Sequence, residues 1–238
     1  MGRPENPVDR TVPALAQLAD FLRERRSTAG LTYSQMAKIM GGQPSKATLE
    51  RAASGAVVPS WEAVRDFIIV TTTDKESFGL GPALARGREL WIRVRRDTRA
   101  PYYVHKAPDP TLISDAAGFL RALRHQHVWM GYPTPGEMER MSGPGLLPRT
   151  TTRRIIDGDA LPVDPQQTIA FLKACYVIDE AELCLWLAAA VRSFQDDPVR
   201  SKSIDKWAKA YQDMTRQAES KELASVTTLR RNEETKAA

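Results

Sequence analysis

From Pro13 onward, apolar residues recur at spacings of three and four rather than alternating, so the chain reads as helical throughout. The first predicted helix spans Pro13 to Ser27, with Leu15, Leu18, Ala19 and Leu22 inward. A second opens at Thr32 or Ser34 and carries its apolar positions at Met36, Ala37, Ile39 and Met40. Gly41-Gly42 ends it, and Pro44 prevents it from resuming at once. Ser45 is an N-cap for a third helix, Lys46 to Ser54, whose inward face is Leu49, Ala52 and Ala53. Gly55 supplies a left-handed C-cap. Ser60 caps a fourth helix reaching Val70, with Trp61, Val64, Phe67 and Ile68 inward, and Thr71 to Asp74 ends it. Residues 75–82 form a Gly/Pro connection to a fifth helix, Ala83 to Arg96, with Leu84, Leu90, Trp91 and Val94 inward.

Residues 97–112 hold three prolines and no clear period and read as a linker, with Tyr102 and Tyr103 suggesting that it docks. The pattern then repeats. Phe21-Leu22-Arg23 returns as Phe119-Leu120-Arg121, and Thr48-Leu49-Glu50-Arg51 lines up with Thr151-Thr152-Arg153-Arg154. Gly55 and Pro59 match Gly158 and Pro162, Phe67-Ile68 matches Phe171-Leu172, and Trp91 matches Trp186. The expected organisation is a disordered arm over 1–12, a first domain over 13–96, the linker, a second and diverged copy over 113–196, and a C-terminal helix with a disordered tail over 197–238. Ile204, Trp207, Ala208, Tyr211 and Met214 mark the last helix, which either packs on the second domain or mediates dimerisation.

Two short helices joined by a tight turn over Leu31 to Pro59 are the layout that places a second helix in the DNA major groove. The outward face of that helix is short, polar and basic: Lys46, Ala47, Thr48 and Arg51, with Ser45 and Gln43 just before it. Lys46 and Arg51 suit guanine or phosphate, Thr48 a base or phosphate, and Gln43 adenine or backbone. In the second copy the corresponding candidates are Arg149, Thr150, Thr151, Arg153 and Arg154, with Ile155 and Ile156 inward. Ser142 to Pro148 there replaces Gly41 to Pro44, which reads as a longer turn.

These residues resemble a known family. LTYSQMAKIMG followed by SKATLERAASGAVVPSWEAV is similar to the Cro/phage-repressor class of helix-turn-helix, in the version common among actinobacterial regulators. The likeness spans about residues 13 to 96. It departs at Ala53-Ser54, where the family often has a bulky aromatic and an acidic residue. It implies a five-helix, lambda-repressor-like domain that binds double-stranded DNA and regulates transcription; with the repeat and the last helix read above, the expected fold is all-α, two tandem domains of this kind plus a C-terminal helix.

Composition adds charge and removes chemistry. The 238 residues carry a net charge of +5. Residues 1–110 hold 17 Lys/Arg against 12 Asp/Glu and residues 111–238 hold 17 against 17, so the excess lies in the half with the clearer motif. Arg23, Arg25 and Arg26 crowd the end of the first helix, and Arg86, Arg88, Arg93, Arg95 and Arg96 form a basic face on the fifth; phosphate contact and a solvated charged face both fit them. The two cysteines, Cys175 and Cys184, read as buried free thiols. His125 and His127 would diverge on a helix and do not face one ion, so no metal or other cofactor is expected. With no phosphate loop, HExxH or nucleophile elbow, nothing points to an enzyme. No apolar run spans a bilayer, and the expected location is the cytoplasm, associated with the nucleoid. Homodimerisation and a protein partner stay open. Two alternatives remain: a protein-interaction module that keeps the fold without specific DNA binding, and a replication or partition factor of a mobile element.

Overall fold

The computed structural model describes residues 5–72, 79–217 and 220, and these are helical with no strand among them. The chain divides into two compact units, 1–103 and 104–238.

The first unit holds five helices: α1 (Pro13–Ala29), α2 (Tyr33–Ile39), α3 (Lys46–Ala52), α4 (Trp61–Thr71) and α5 (Leu80–Arg99). Pro13 fits the first turn of α1, where its missing N–H costs nothing, and Gly30 closes the helix in the left-handed region at φ 65°. Thr32, rather than Ser34, caps α2, and Gln35 returns the bond to complete a capping box. Ser45 caps α3 and Ser60 caps α4 through backbone N–H groups three residues on. α1 packs on α4 and α5, and α2 on α3 and α4. The core joins Leu18, Leu22, Met36, Leu49, Phe67 and Val94, all fully buried. Gly87 permits the close approach of α4 to α5, because a Cβ there would stand 2.3 Å from Ile68 Cδ1.

Several expectations are corrected here. Ile39 is 64% exposed and not core; Tyr33, at the first turn of α2, is buried in its place. α5 starts three residues earlier than expected, since Gly81 and Pro82 fall in its first turn, where Pro is tolerated. It also runs through Arg99 into the expected linker. Its arginines do not form one basic face: Arg95 is 1% exposed and lies over the Trp91 ring, while Arg88 stacks on Trp61 at 3.6 Å. Arg25 donates to Thr72 Oγ1 and so is half-buried against the end of α4. Residues 5–12, expected as a disordered arm, lie against the domain; Asp9 N–H donates to Ser54 O and Arg10 pairs with Asp20. Gly55, at φ 76°, makes room for this segment, because a Cβ there would meet Asp9 O at 2.5 Å. The first four residues of the arm, with Arg3 among them, lie outside the described residues, as do Thr73, Asp74 and the tail from Val226.

The second unit lays out α6 (Ala116–Trp129), α7 (Pro135–Ser142), α8 (Arg149–Asp157), α9 (Pro165–Ala174) and α10 (Glu180–Phe194). Its core centres on Phe119, Phe171, Trp186 and Phe194. A further helix over 204–217 sets Trp207 into that core, 4.9 Å from the Phe194 ring, with Ile204, Tyr211 and Met214 beside it. Packing on its own domain is thus the outcome for this helix. Part of the expected linker belongs to this unit: Val104 and Pro110 are buried, and Arg192 donates to the Pro110 and Thr111 carbonyls. Cys175 is fully buried, and burial pushes its thiol up from the ordinary value. Cys184 is only half-buried.

The turn between α7 and α8 is not the longer one expected. Six residues separate α2 from α3 (40–45), and six separate α7 from α8 (143–148). The extra residue in the sequence is absorbed by α7, which has eight residues against seven in α2.

Candidate nucleic-acid interface

The candidate surface is built on α3. Leu49, Ala52 and Ala53 bury its inner face, so small side chains let it sit close to α2 and α4. The outer face then has to present Lys46, Ala47, Glu50 and Arg51, which are all exposed. Ser45 Oγ accepts from Thr48 N–H at 3.3 Å and lies 3.0 Å from Thr48 Oγ1, so both hydroxyls face one another at the start of the helix. Lys46 Nζ reaches Glu50 at 3.5 Å, and Arg51 Nε donates to Ala47 O. Such an exposed pair contributes at most about 1 kcal/mol and is readily exchanged for a phosphate. Gln43 is exposed in the turn. Lys46, Ala47 and Arg51 line an open groove of about 920 Å³, whereas Gln43 and Ser45 do not.

The other wall of that groove brings Arg23 and Arg26, for which the sequence left phosphate contact open, together with Tyr33 and Glu5, which the sequence did not mark. Arg23 and Arg26 on α1 and Tyr33 on α2 all point at Glu5. Arg23 Nε lies 3.2 Å from Glu5 Oε1 and Arg26 2.7 Å from Oε2. The Tyr33 hydroxyl donates to Glu5 Oε1, and Arg26 lies over the Tyr33 ring at 4.6 Å. Burial, then the hydrogen bond to Glu5, holds the Tyr33 phenol well above its ordinary value. The capping box at Thr32 foretells that Tyr33 opens α2, but Glu5 arrives from a distant stretch and has no local signal.

In the second unit α8 exposes Arg149, Thr150, Arg153 and Arg154, with Thr151 half-buried. Ile155 is fully buried and Ile156 packs at the core edge, as their inward assignment requires. Arg149 pairs with Glu139 at 2.6 Å and Arg153 lies 3.6 Å from Asp157. Pro148 gives α8 no side-chain cap.

The two units share internal ties. Arg23 Nε donates to Ala53 O and Arg124 Nε to Ile156 O, each at 2.8 Å, just before the positive-φ glycines Gly55 and Gly158. Arg124, one turn beyond the expected Arg121, therefore holds the position of Arg23. Thr134 and Glu137 form a second capping box like that of Thr32 and Gln35. Arg26 donates to Leu31 O, and His127 Nε2 donates to Pro133 O, in each case the carbonyl just before the capping threonine. His127 is 1% exposed and His125 is half-buried. Among the described residues no group of three or more His, Cys, Asp and Glu could hold a metal, and no helix is long and apolar enough to cross a membrane.

This geometry is that of a helix-turn-helix. Residues 17–76, from the first turns of α1 past the end of α4, match a family described as a helix-turn-helix domain. No curated protein and no solved structure matches the chain.

Proposed function

We propose that the protein binds duplex DNA in a sequence-specific way through a Cro/phage-repressor-like first unit and regulates transcription. The observation that carries this reading is α3 itself. It is a capped helix, buried along one face by small residues, with Lys46, Ala47, Thr48 and Arg51 on the other, inside the stretch that matches the helix-turn-helix family. Gln43 and Ser45 flank it and complete the assigned contacts. Thr48 and Lys46 suit base edges near the helix start, and Arg51, one turn on, suits guanine or phosphate.

The second unit is on this reading a diverged copy of the first, supported by the shared arginine ties, capping boxes and turn lengths. Arg149, Thr150, Thr151, Arg153 and Arg154 are its contact residues. Two readers in one chain suit an asymmetric or direct-repeat site, whereas a homodimer would read a palindrome. The work of such a protein lies in binding rather than catalysis, in the cytoplasm at the nucleoid. A protein-interaction role is favoured by one observation: Lys46, Arg149 and Arg153 all have carboxylate partners within their own unit.

Selection from a random duplex pool at about 0.15 M salt, where phosphate-only binding is weak, separates the two. A discrete enriched site is expected. Salt-sensitive retention without enrichment would transfer the weight to the protein-partner reading.

A further inference from the structure

The first unit carries a built anion receptor that the chain fills with its own carboxylate. Two donors from two helices, an Arg26 Nη and the Tyr33 hydroxyl, converge on Glu5, and the Arg23 guanidinium, whose Nε donates to Ala53 O, adds its charge 3.2 Å away. The receptor does not depend on Glu5 for its shape. Arg23 is tied to Ala53 O, Arg26 to Leu31 O, and the Arg26 guanidinium rests on the Tyr33 ring. Glu5 belongs to a segment outside the helix-turn-helix, held at its far end by Asp9 on Ser54 O and Arg10 on Asp20. The seat opens into the groove shared with Lys46 and Arg51 of α3. With Glu5 in place, four cations there face the carboxylates of Glu5 and Glu50; without it they face Glu50 alone.

We propose that Arg23, Arg26 and Tyr33 form a phosphate seat, and that a backbone phosphodiester of duplex DNA takes it when Glu5 leaves. Two non-bridging oxygens replace two carboxylate oxygens on the same donors, a charge-assisted exchange of like for like. The identity of the ligand rests on the DNA-binding reading; the existence of an anion seat does not. The second unit supplies an internal contrast. The residue matching Arg26 by its tie is His127, whose Nε2 is already on Pro133 O, and the residue following the capping threonine is Pro135, which has no hydroxyl.

The test uses the full chain and its E5Q variant, with E24Q as a control that removes the same charge from the exposed side of α1. At fixed ionic strength, replacing chloride by inorganic phosphate should raise the melting temperature of E5Q by about 4 °C or more and leave the wild type unmoved. E5Q/R26Q should lose that response. On a random duplex, E5Q should bind more tightly than the wild type by on the order of tenfold, and E24Q much less so. No phosphate response in E5Q overturns the seat. A phosphate response without the gain on DNA overturns the phosphodiester as its ligand, and equal gains in E5Q and E24Q do the same by showing a general charge effect. Retained phosphate response in a protein that binds no duplex at all refutes the DNA-binding reading and keeps the seat.

Discussion

The first and second units share helix order, turn length and two internal ties, and differ in what surrounds the third helix of each. Beside α3 lies a groove walled by Arg23, Arg26 and Tyr33 and crossed by an acidic segment. On α8 itself stand three exposed arginines, of which Arg149 and Arg153 meet Glu139 and Asp157, as Lys46 of α3 meets Glu50. With the second unit read as a copy of the first, as proposed, the comparison separates what a helix-turn-helix needs to stand from what it needs to bind. The capping box, the arginine on the last carbonyls of the third helix and the positive-φ glycine are present twice, so they belong to the scaffold. On the proposed reading, the outward residues and the anion seat of the first unit belong to recognition.

The largest expected effect tests whether the second unit depends on its extra helix. Trp207→Ala removes a fully buried indole from the Phe194 contact and should cost about 3–5 kcal/mol. Calorimetry should show the second unit's transition falling while that of the first stays in place. Next, Arg51→Ala should weaken binding to the selected site by about 1–3 kcal/mol and relax one base position, while Arg154→Ala should flatten the salt dependence without changing the preferred sequence. The scaffold side of the comparison predicts equal losses: Thr32→Ala and Thr134→Ala each remove the N-cap of a capping box and should each cost about 1 kcal/mol of their own unit's stability. Unequal costs in chemical denaturation would break the parallel. The smallest effect is Glu139→Gln, which frees Arg149 from an exposed pair worth under about 1 kcal/mol and should raise duplex affinity slightly at low salt.

Much of the scaffold was legible in sequence because its signals are local. Ser45 and Ser60 announce the caps they form, whereas Gly55, at positive φ, lies two residues past Ala53, the actual C-cap of α3; the three-and-four spacing marks Leu18, Leu22, Val64 and Phe67 as core. The errors came where distant residues decide. Ile39 fits the apolar face of α2 by spacing but falls where nothing covers it. Arg95 and Arg88 read as solvated charges until Trp91 and Trp61 come beneath them. Counting residues between breakers made the second turn longer, because α7 absorbs the insertion without a mark in composition. For the candidate surface, the outward residues of α3 and α8 followed from helical geometry. Opposite α3 only the arginines of the α1 end were marked; that Glu5 and Tyr33 join Arg26 was not, since the fold assembles them from three separate segments.

The central claim is that the outer face of α3 meets DNA. The most direct measurement is backbone amide shift mapping of the full chain on binding its selected duplex. The account predicts the largest perturbations over residues 43–51, extending to Arg26 and Tyr33 across the groove. Perturbations absent from α3 and confined to other helices would contradict it.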